Sequence, residues 1–178
     1  MFAFNANTRP WNGHLSLFVG LDGMVQLGGG ETDLKLMFDH EAFHLYQQQV
    51  NPDVSVSTVW SRLWREGLAT YVSRRLNPGA SRAEVLMSPD LAQAPAEIVA
   101  AAARTALARL DGPDGESSQD LFDLGSAGPL RPRIGYVLGL AIAEMAGGSL
   151  DLDPLARLEA AQARRFVTAG LAELQAGA

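Results

Sequence analysis

The stretch that most constrains this chain is FDHEAFHLYQ, residues 38–47, in which His40, Glu41 and His44 stand in the spacing HExxH. Helical residues four apart lie one above the other on one face, so two imidazoles at this spacing can grip one metal ion without a loop folding around it. Glu41 is one residue, about 100° of helix, from His40. Its carboxylate therefore falls beside the metal rather than on it, where it can take a proton from a water that the metal activates.

Composition makes this spacing informative. The chain has three His and nine Glu in 178 residues, so a shuffled sequence would contain HExxH only about 0.002 times. There is no cysteine, which removes disulfides and thiolate sites and leaves His and carboxylate as the strong metal ligands. The net charge is -6 and Lys35 is the only lysine. No basic patch of the kind nucleic acid demands is present, and nucleic acid is set aside as a partner. The longest apolar runs fall short of a membrane span, and MFAFNANTRPW at the start lacks the basic and apolar regions of a signal peptide. The expected location is cytoplasmic if the chain is full length, and secreted or periplasmic if it has been trimmed from a longer precursor. A chain of this length is expected to form one domain, residues 1–178.

Residues 14–27, HLSLFVGLDGMVQL, predict two strands turning at Asp22-Gly23. Within them, residues 15–20 are the candidate edge strand that would hold an extended peptide by backbone hydrogen bonds. Gly28-Gly29-Gly30 reads as a hinge or rim, because the Lys and Ser/Thr of a phosphate-binding loop are missing. Thr32 or Asp33 is expected to cap the metal helix, which should run to about Val50, since Asn51-Pro52 disfavours continuation. Its apolar stripe reads as Leu34, Phe38, Ala42 and Leu45. His40 and His44 point away from that stripe, on a face shared with Asp33, Met37 and Gln47, so the helix's own hydrophobic pattern does not bury them.

A second helix is predicted from Ser55 or Ser57 to Leu76, ended by Asn77-Pro78-Gly79. Its stripe of Trp60, Trp64, Leu68, Tyr71 and Val72 has helical spacing, and both tryptophans read as packing residues. Glu66 is followed by Gly67, which costs about 1 kcal/mol in a helix interior and implies the close approach of another backbone. A carboxylate brought that near to the HExxH helix can complete a His, His, Glu tetrahedral site with the fourth position left for water.

HExxH is the sequence signature of zinc-dependent peptidases, and HExxH followed by WxxEGxAxY resembles the gluzincin metallopeptidases. Segment 60–73 is similar to the EG-x-A region of the gluzincin aminopeptidases and of several uncharacterised bacterial families of zinc-dependent protease type. The resemblance implies His40, His44 and Glu66 as Zn²⁺ ligands and Glu41 as general base. In the thermolysin pattern an Asp four residues after the third ligand supports a zinc-bound His; here Thr70 stands at that position. The Gly-Ala-Met-Glu-Asn stretch by which gluzincin aminopeptidases bind a free amino terminus is missing.

Further along, residues 81–110 predict helices with Ser81 and Ser88 as caps, Pro89 and Pro95 as breaks, and a clear helix from about Pro95 to Leu110. The polar, glycine-rich residues 111–120 read as a surface loop, with a lid as the alternative. Pro132 is expected to start a helix in which Gly135 and Gly139 clear one face for a neighbour. Its GYxLG pattern resembles one in the bacterial families named above. By analogy with gluzincins, Tyr136 is the candidate hydrogen-bond donor to a developing oxyanion, with Arg133 as a substitute or as a binder of substrate carboxylate. Asp153-Pro154 should open a final helix towards Gln175, with Arg157, Arg164, Arg165 and Glu159 on a solvated face.

The expected fold is α+β, mainly α, and zincin-like, with a small N-terminal β-sheet and a helical C-terminal part. The expected function is zinc-dependent hydrolysis of a peptide or protein substrate, with Glu41 as general base. One alternative is a catalytically inactive metal-binding sensor or regulatory domain on a peptidase scaffold. The other is a structural helical domain in which His40 and His44 hold no metal.

Overall fold

The structure, a computed structural model, describes residues 6–19, 31–55, 57–115, 117–123 and 130–177. It is mainly helical, as the helical periodicities predict. In chain order the elements are β1 (Ala6–Trp11), β2 (His14–Val19), α1 (Glu31–Val50), α2 (Val59–Leu76), α3 (Arg82–Val85), α4 (Pro89–Ala92), α5 (Ala96–Ala108), α6 (Gln119–Phe122), α7 (Ile134–Gly147), α8 (Leu152–Ala156) and α9 (Ala160–Ala176). A short 3-10 turn, Pro52–Ser55, links α1 to α2.

The organising element is α2. Its start is fixed by a reciprocal capping pair, in which the Ser61 N–H donates to the Thr58 hydroxyl oxygen and the Thr58 N–H donates to the Ser61 oxygen. The cap is thus Thr58, one residue past the expected Ser57. Two further first-turn donors are satisfied from outside: Val59 N–H reaches the Gly112 carbonyl (3.1 Å) and Trp60 N–H the Leu110 carbonyl (3.0 Å). The polar stretch after α5 is therefore tied to the start of α2. Arg62 holds it through Asp114 at 3.1 Å, and Arg164 holds it through Asp111 at 2.6 Å.

Along α2, Leu63, Trp64 and Leu68 are almost fully buried, as is Trp60. Burial of Leu63 and Leu68 contributes roughly 1.5–3 kcal/mol each. One side of α2 meets α1; the other meets α7, and α9 packs across α2, α5 and α7. The crossing with α7 is set by two glycines. A Cβ on Gly67 would stand 2.2 Å from the Gly139 carbonyl oxygen, and one on Gly139 would stand 2.8 Å from the Gly67 Cα. Gly67 thus admits a close backbone, as its position implied, but that backbone belongs to α7 rather than to α1. Gly135 faces α6, where a Cβ would meet the Phe122 ring at 2.8 Å.

Several expectations meet a different outcome; Thr32 and Asp33, expected as caps of the metal helix, lie inside α1, which begins at Glu31. A hairpin not anticipated from the sequence turns at Asn12-Gly13: β1 and β2 pair antiparallel from Ala6↔Val19 to Trp11↔His14. Both turn residues have positive φ, 49° and 79°, the geometry that the Asn-Gly dipeptide supplies and that matches strand twist. The expected strand at 15–20 corresponds to β2, whereas Asp22-Gly23 and its second strand lie outside the described residues.

On α1, the expected apolar stripe faces outward, with Leu34 44% and Phe38 55% exposed; Leu36, Met37, Phe43 and Gln47 are buried instead. The rotation that buries Leu36, Met37 and Phe43 is reinforced by polar contacts. The Ser73 hydroxyl donates to the Leu36 carbonyl (2.7 Å) and the Asn77 amide donates to Asp39 (2.7 Å). His40 and His44 accordingly share an inward face with Met37 and Gln47.

The expected final helix is two helices, α8 and α9, parted at Arg157–Glu159. The buried Asn51 amide donates to the carbonyls of Ala156 (3.3 Å) and Leu158 (2.6 Å), so the break is satisfied from the end of α1. Glu159 and Gln162 then cap α9 reciprocally. At the other helix in question, Pro132 precedes α7 rather than opening it, and Arg133 stands at the cap position in a left-handed conformation. Ser81 and Ser88 do cap α3 and α4. Among the described residues no helix is long and apolar enough to cross a membrane.

Candidate metal centre

The dipeptide Glu66-Gly67 works because adjacent helical residues diverge by about 100°. Gly67 lies against α7, which turns Glu66 towards α1 and the two histidines. His40 Nε2 and His44 Nε2 are 3.0 Å apart. Glu66 Oε2 stands 3.4 Å from the first and 3.7 Å from the second. Two donors bound tetrahedrally to zinc at about 2.1 Å lie roughly 3.4 Å from each other. Three donors of the right chemistry thus already hold the spacing that a zinc ion needs, and they are the metal-compatible group of His, Asp and Glu side chains found among the described residues. Their side chains are 16%, 19% and 18% exposed for His40, His44 and Glu66. That leaves each side chain mostly buried, with its orientation held by its neighbours.

The electrostatics of the metal-free chain fit the same role. Burial pushes the Glu66 carboxyl up, but the charge on His44 and hydrogen bonds from His40 and His44 outweigh it and hold Glu66 well below the usual carboxylate range. Burial pulls His44 down, and the charge and hydrogen bond of Glu66 more than compensate, raising it.

Thr70 takes the place where the thermolysin pattern has Asp. Its hydroxyl donates to the Glu66 carbonyl at 2.7 Å, which leaves the oxygen lone pairs free; one faces His40 Nδ1 at 3.5 Å. That contact fits a proton on Nδ1, which would leave Nε2, the atom turned to Glu66, to act as the ligand once a cation takes the place of its proton.

Tyr136 borders the cluster, with its ring centre 6.4 Å from that of His40. Burial, with the charge of Glu66, pushes its hydroxyl well above the usual tyrosine range, so it stays protonated. Phe122 meets Tyr136 edge-on at 5.5 Å, and the Arg133 guanidinium lies 4.8 Å over the Tyr136 ring. Arg62, in turn, lies 4.3 Å over Phe122.

All six expected residues therefore belong to one neighbourhood. His40, His44 and Glu66 converge, Glu41 acts on both His44 and Tyr136 through its charge, and Arg133 reaches the site through Tyr136. Arg62, Arg65 and Phe122 were not anticipated. Arg62 stands four residues before Glu66, a spacing that puts both on one helix face and was available in the sequence. Phe122 had no local signal. Compared with protein-family models, with curated proteins and with solved structures, the chain finds no match in any of the three.

Proposed function

We propose that this chain is a zinc-dependent peptidase of gluzincin type, with a zincin-like arrangement of hairpin, metal helix and third-ligand helix. The observation that carries the reading is the convergence of His40, His44 and Glu66 at 3.0, 3.4 and 3.7 Å, with Glu41 one helical step away. When bound by these three residues, zinc supplies Lewis-acid chemistry, lowering the pKa of a water to about 7 and polarising a carbonyl.

The chain's own residues do the rest. Glu41 takes the proton of the attacking water and passes it to the leaving amine. The protonated Tyr136 hydroxyl donates to the oxygen that gains charge as the carbonyl becomes tetrahedral. β2, packed against α1, is the candidate to hold the substrate in extended form.

The test has two steps. Elemental analysis of protein purified without added metal should give one zinc per chain in the parent and little or none in Glu66→Ala. A peptide-library digest should then show cleavage by the parent and a kcat lower by about 10²–10⁴ in Glu41→Gln. Equal cleavage by Glu41→Gln would sink the mechanism. Bound zinc with no cleavage across the library would leave a metal-binding sensor or regulatory domain instead, and no zinc even after supply would remove the basis of both.

A further inference from the structure

The charge around the candidate site is unlike that of the chain as a whole. The protein carries a net charge of -6, yet three arginines border this one cluster. Arg62 and Arg133 act on the Tyr136 hydroxyl, and Arg65 acts on His44. The carboxylates among the same groups are Glu41, Glu66 and Asp114, so acids and bases balance before any cation is counted. A divalent ion leaves the site positive in an acidic protein, a field that gathers anions.

The three arginines are not equivalent. Arg62 and Arg65 share Asp114, at 3.1 and 3.8 Å. Arg62 is held further by the Ser118 hydroxyl oxygen at 3.1 Å. The Arg133 carbonyl accepts from the Tyr136 N–H at 3.1 Å, but among the described residues its guanidinium has no hydrogen bond and no ion pair and lies over the ring of Tyr136. Its backbone is left-handed, with φ 62° and ψ 16°, a conformation that a bulky side chain rarely adopts. Tyr136 is the group in ring contact with His40, so the oxyanion position falls to Tyr136 and Arg133 stands further out. The two ring distances, 4.8 and 6.4 Å, put Arg133 within about three residues of an extended peptide from the reacting carbonyl, at about 3.4 Å per residue.

We propose that Arg133 is an anion-recognition residue: its guanidinium pairs with a substrate carboxylate within about three residues of the scissile bond. The carboxylate is either the free C-terminus of a short peptide or an Asp or Glu side chain. The substrate class rests on the peptidase reading; the anion subsite itself does not require turnover.

Calorimetric titration of the zinc-loaded full chain tests it, with acetyl-Ala-Ala-Ala, its C-terminal amide and acetyl-Ala-Ala-Glu-amide as probes and any cleavage followed in parallel. The parent should bind one or both carboxylate peptides roughly 10-fold or more tightly than the neutral amide, as expected for a charge-assisted hydrogen bond. Arg133→Met should erase that preference while zinc content and unfolding temperature hold, and Arg133→Lys should keep part of it. Preference for the free acid alone assigns the C-terminus; preference for the Glu peptide assigns a side chain. Arg133→Gln replaces Arg133→Met if the latter fails to fold. Equal binding of all three probes by the parent, or a preference unchanged in the variants, overturns the proposal. Preferential binding of these probes with no cleavage of them or of the peptide library would defeat the peptidase reading and leave the subsite standing, and cleavage without preference would do the reverse.

Discussion

At the scale of single residues, Thr70 stands where the thermolysin pattern has Asp, and in the proposed metal site it would meet the same physical need by other means. An imidazole that ligates through Nε2 needs its Nδ1 proton directed somewhere, and an Asp does this with a charge. Thr70 does it with a lone pair, because its own proton is spent on the Glu66 carbonyl. The contact to His40 is long and uncharged. Thr70→Val keeps the shape and removes the acceptor. Zinc affinity, measured by competition with a chelator, should fall about 10-fold or more, and Thr70→Ser should retain most of it. An unchanged affinity in Thr70→Val would show that the hydroxyl does not orient His40.

At the scale of elements, the two faces of α2 have separate duties. One face carries Glu66 and Thr70 towards α1, and the other carries Gly67 into contact with α7. Gly139→Ala would force a methyl group to within 2.8 Å of the Gly67 backbone, where no side chain can rotate away. The helices must part, at a cost of roughly 3 kcal/mol. Because α2 is also the helix that delivers Glu66, zinc affinity should fall together with the denaturant midpoint. An unfolding free energy within about 0.5 kcal/mol of the parent would mean that the crossing is looser than the structure gives.

At the scale of the whole molecule, the candidate site lies between α1 and α2, with Tyr136 of α7 beside it, and a bound ion would link these elements. Zinc at about 1,000 times its Kd would add about 4 kcal/mol to the folded state, or roughly 8–16 °C in Tm for a chain of this length. The pH dependence has a definite sign. His44 is raised above its ordinary 6.5, so its contribution to the metal-free chain is fully present below pH 6.5 and is lost as pH rises through the raised value. Glu66 is held well below its ordinary 4.5, so its contribution is present above pH 4.5 and is lost as pH falls through the lowered value. The metal-free cluster thus stabilises most between these two values. Zinc competes with the proton on the imidazoles, so the rise in Tm on adding zinc should be larger at about pH 7.5 than at about pH 5.5. Melting curves of chelated and zinc-loaded protein at both pH values check this; an equal rise at each would remove His44 from the ligand set.

Local chemistry was legible wherever it is settled within a few residues. HExxH named His40, Glu41 and His44, and the Glu-Gly pair named Glu66. Ser81 and Ser88 capped their helices, and the tryptophans of α2 went to the core. Asn12-Gly13 was equally legible as a turn, although Asp22-Gly23 also carried that signal. What only the tertiary structure decided was which way each element faces. The apolar stripe of α1 pointed to the wrong side: Leu36, Met37 and Phe43 are buried instead, and Ser73, Thr70 and Asn77 on or just past α2 meet that side through contacts 30 to 38 residues away in sequence. Gly67 announced a close neighbour but not that the neighbour was α7. Asn51 broke the last helix from more than 100 residues away. The spacing of ligands on one helix is set by the 3.6-residue turn, which the chain carries in itself. The meeting of that helix with Glu66, Tyr136 and Arg133 is set by packing and hydrogen bonds between segments distant in the chain, and those exist only once it has folded.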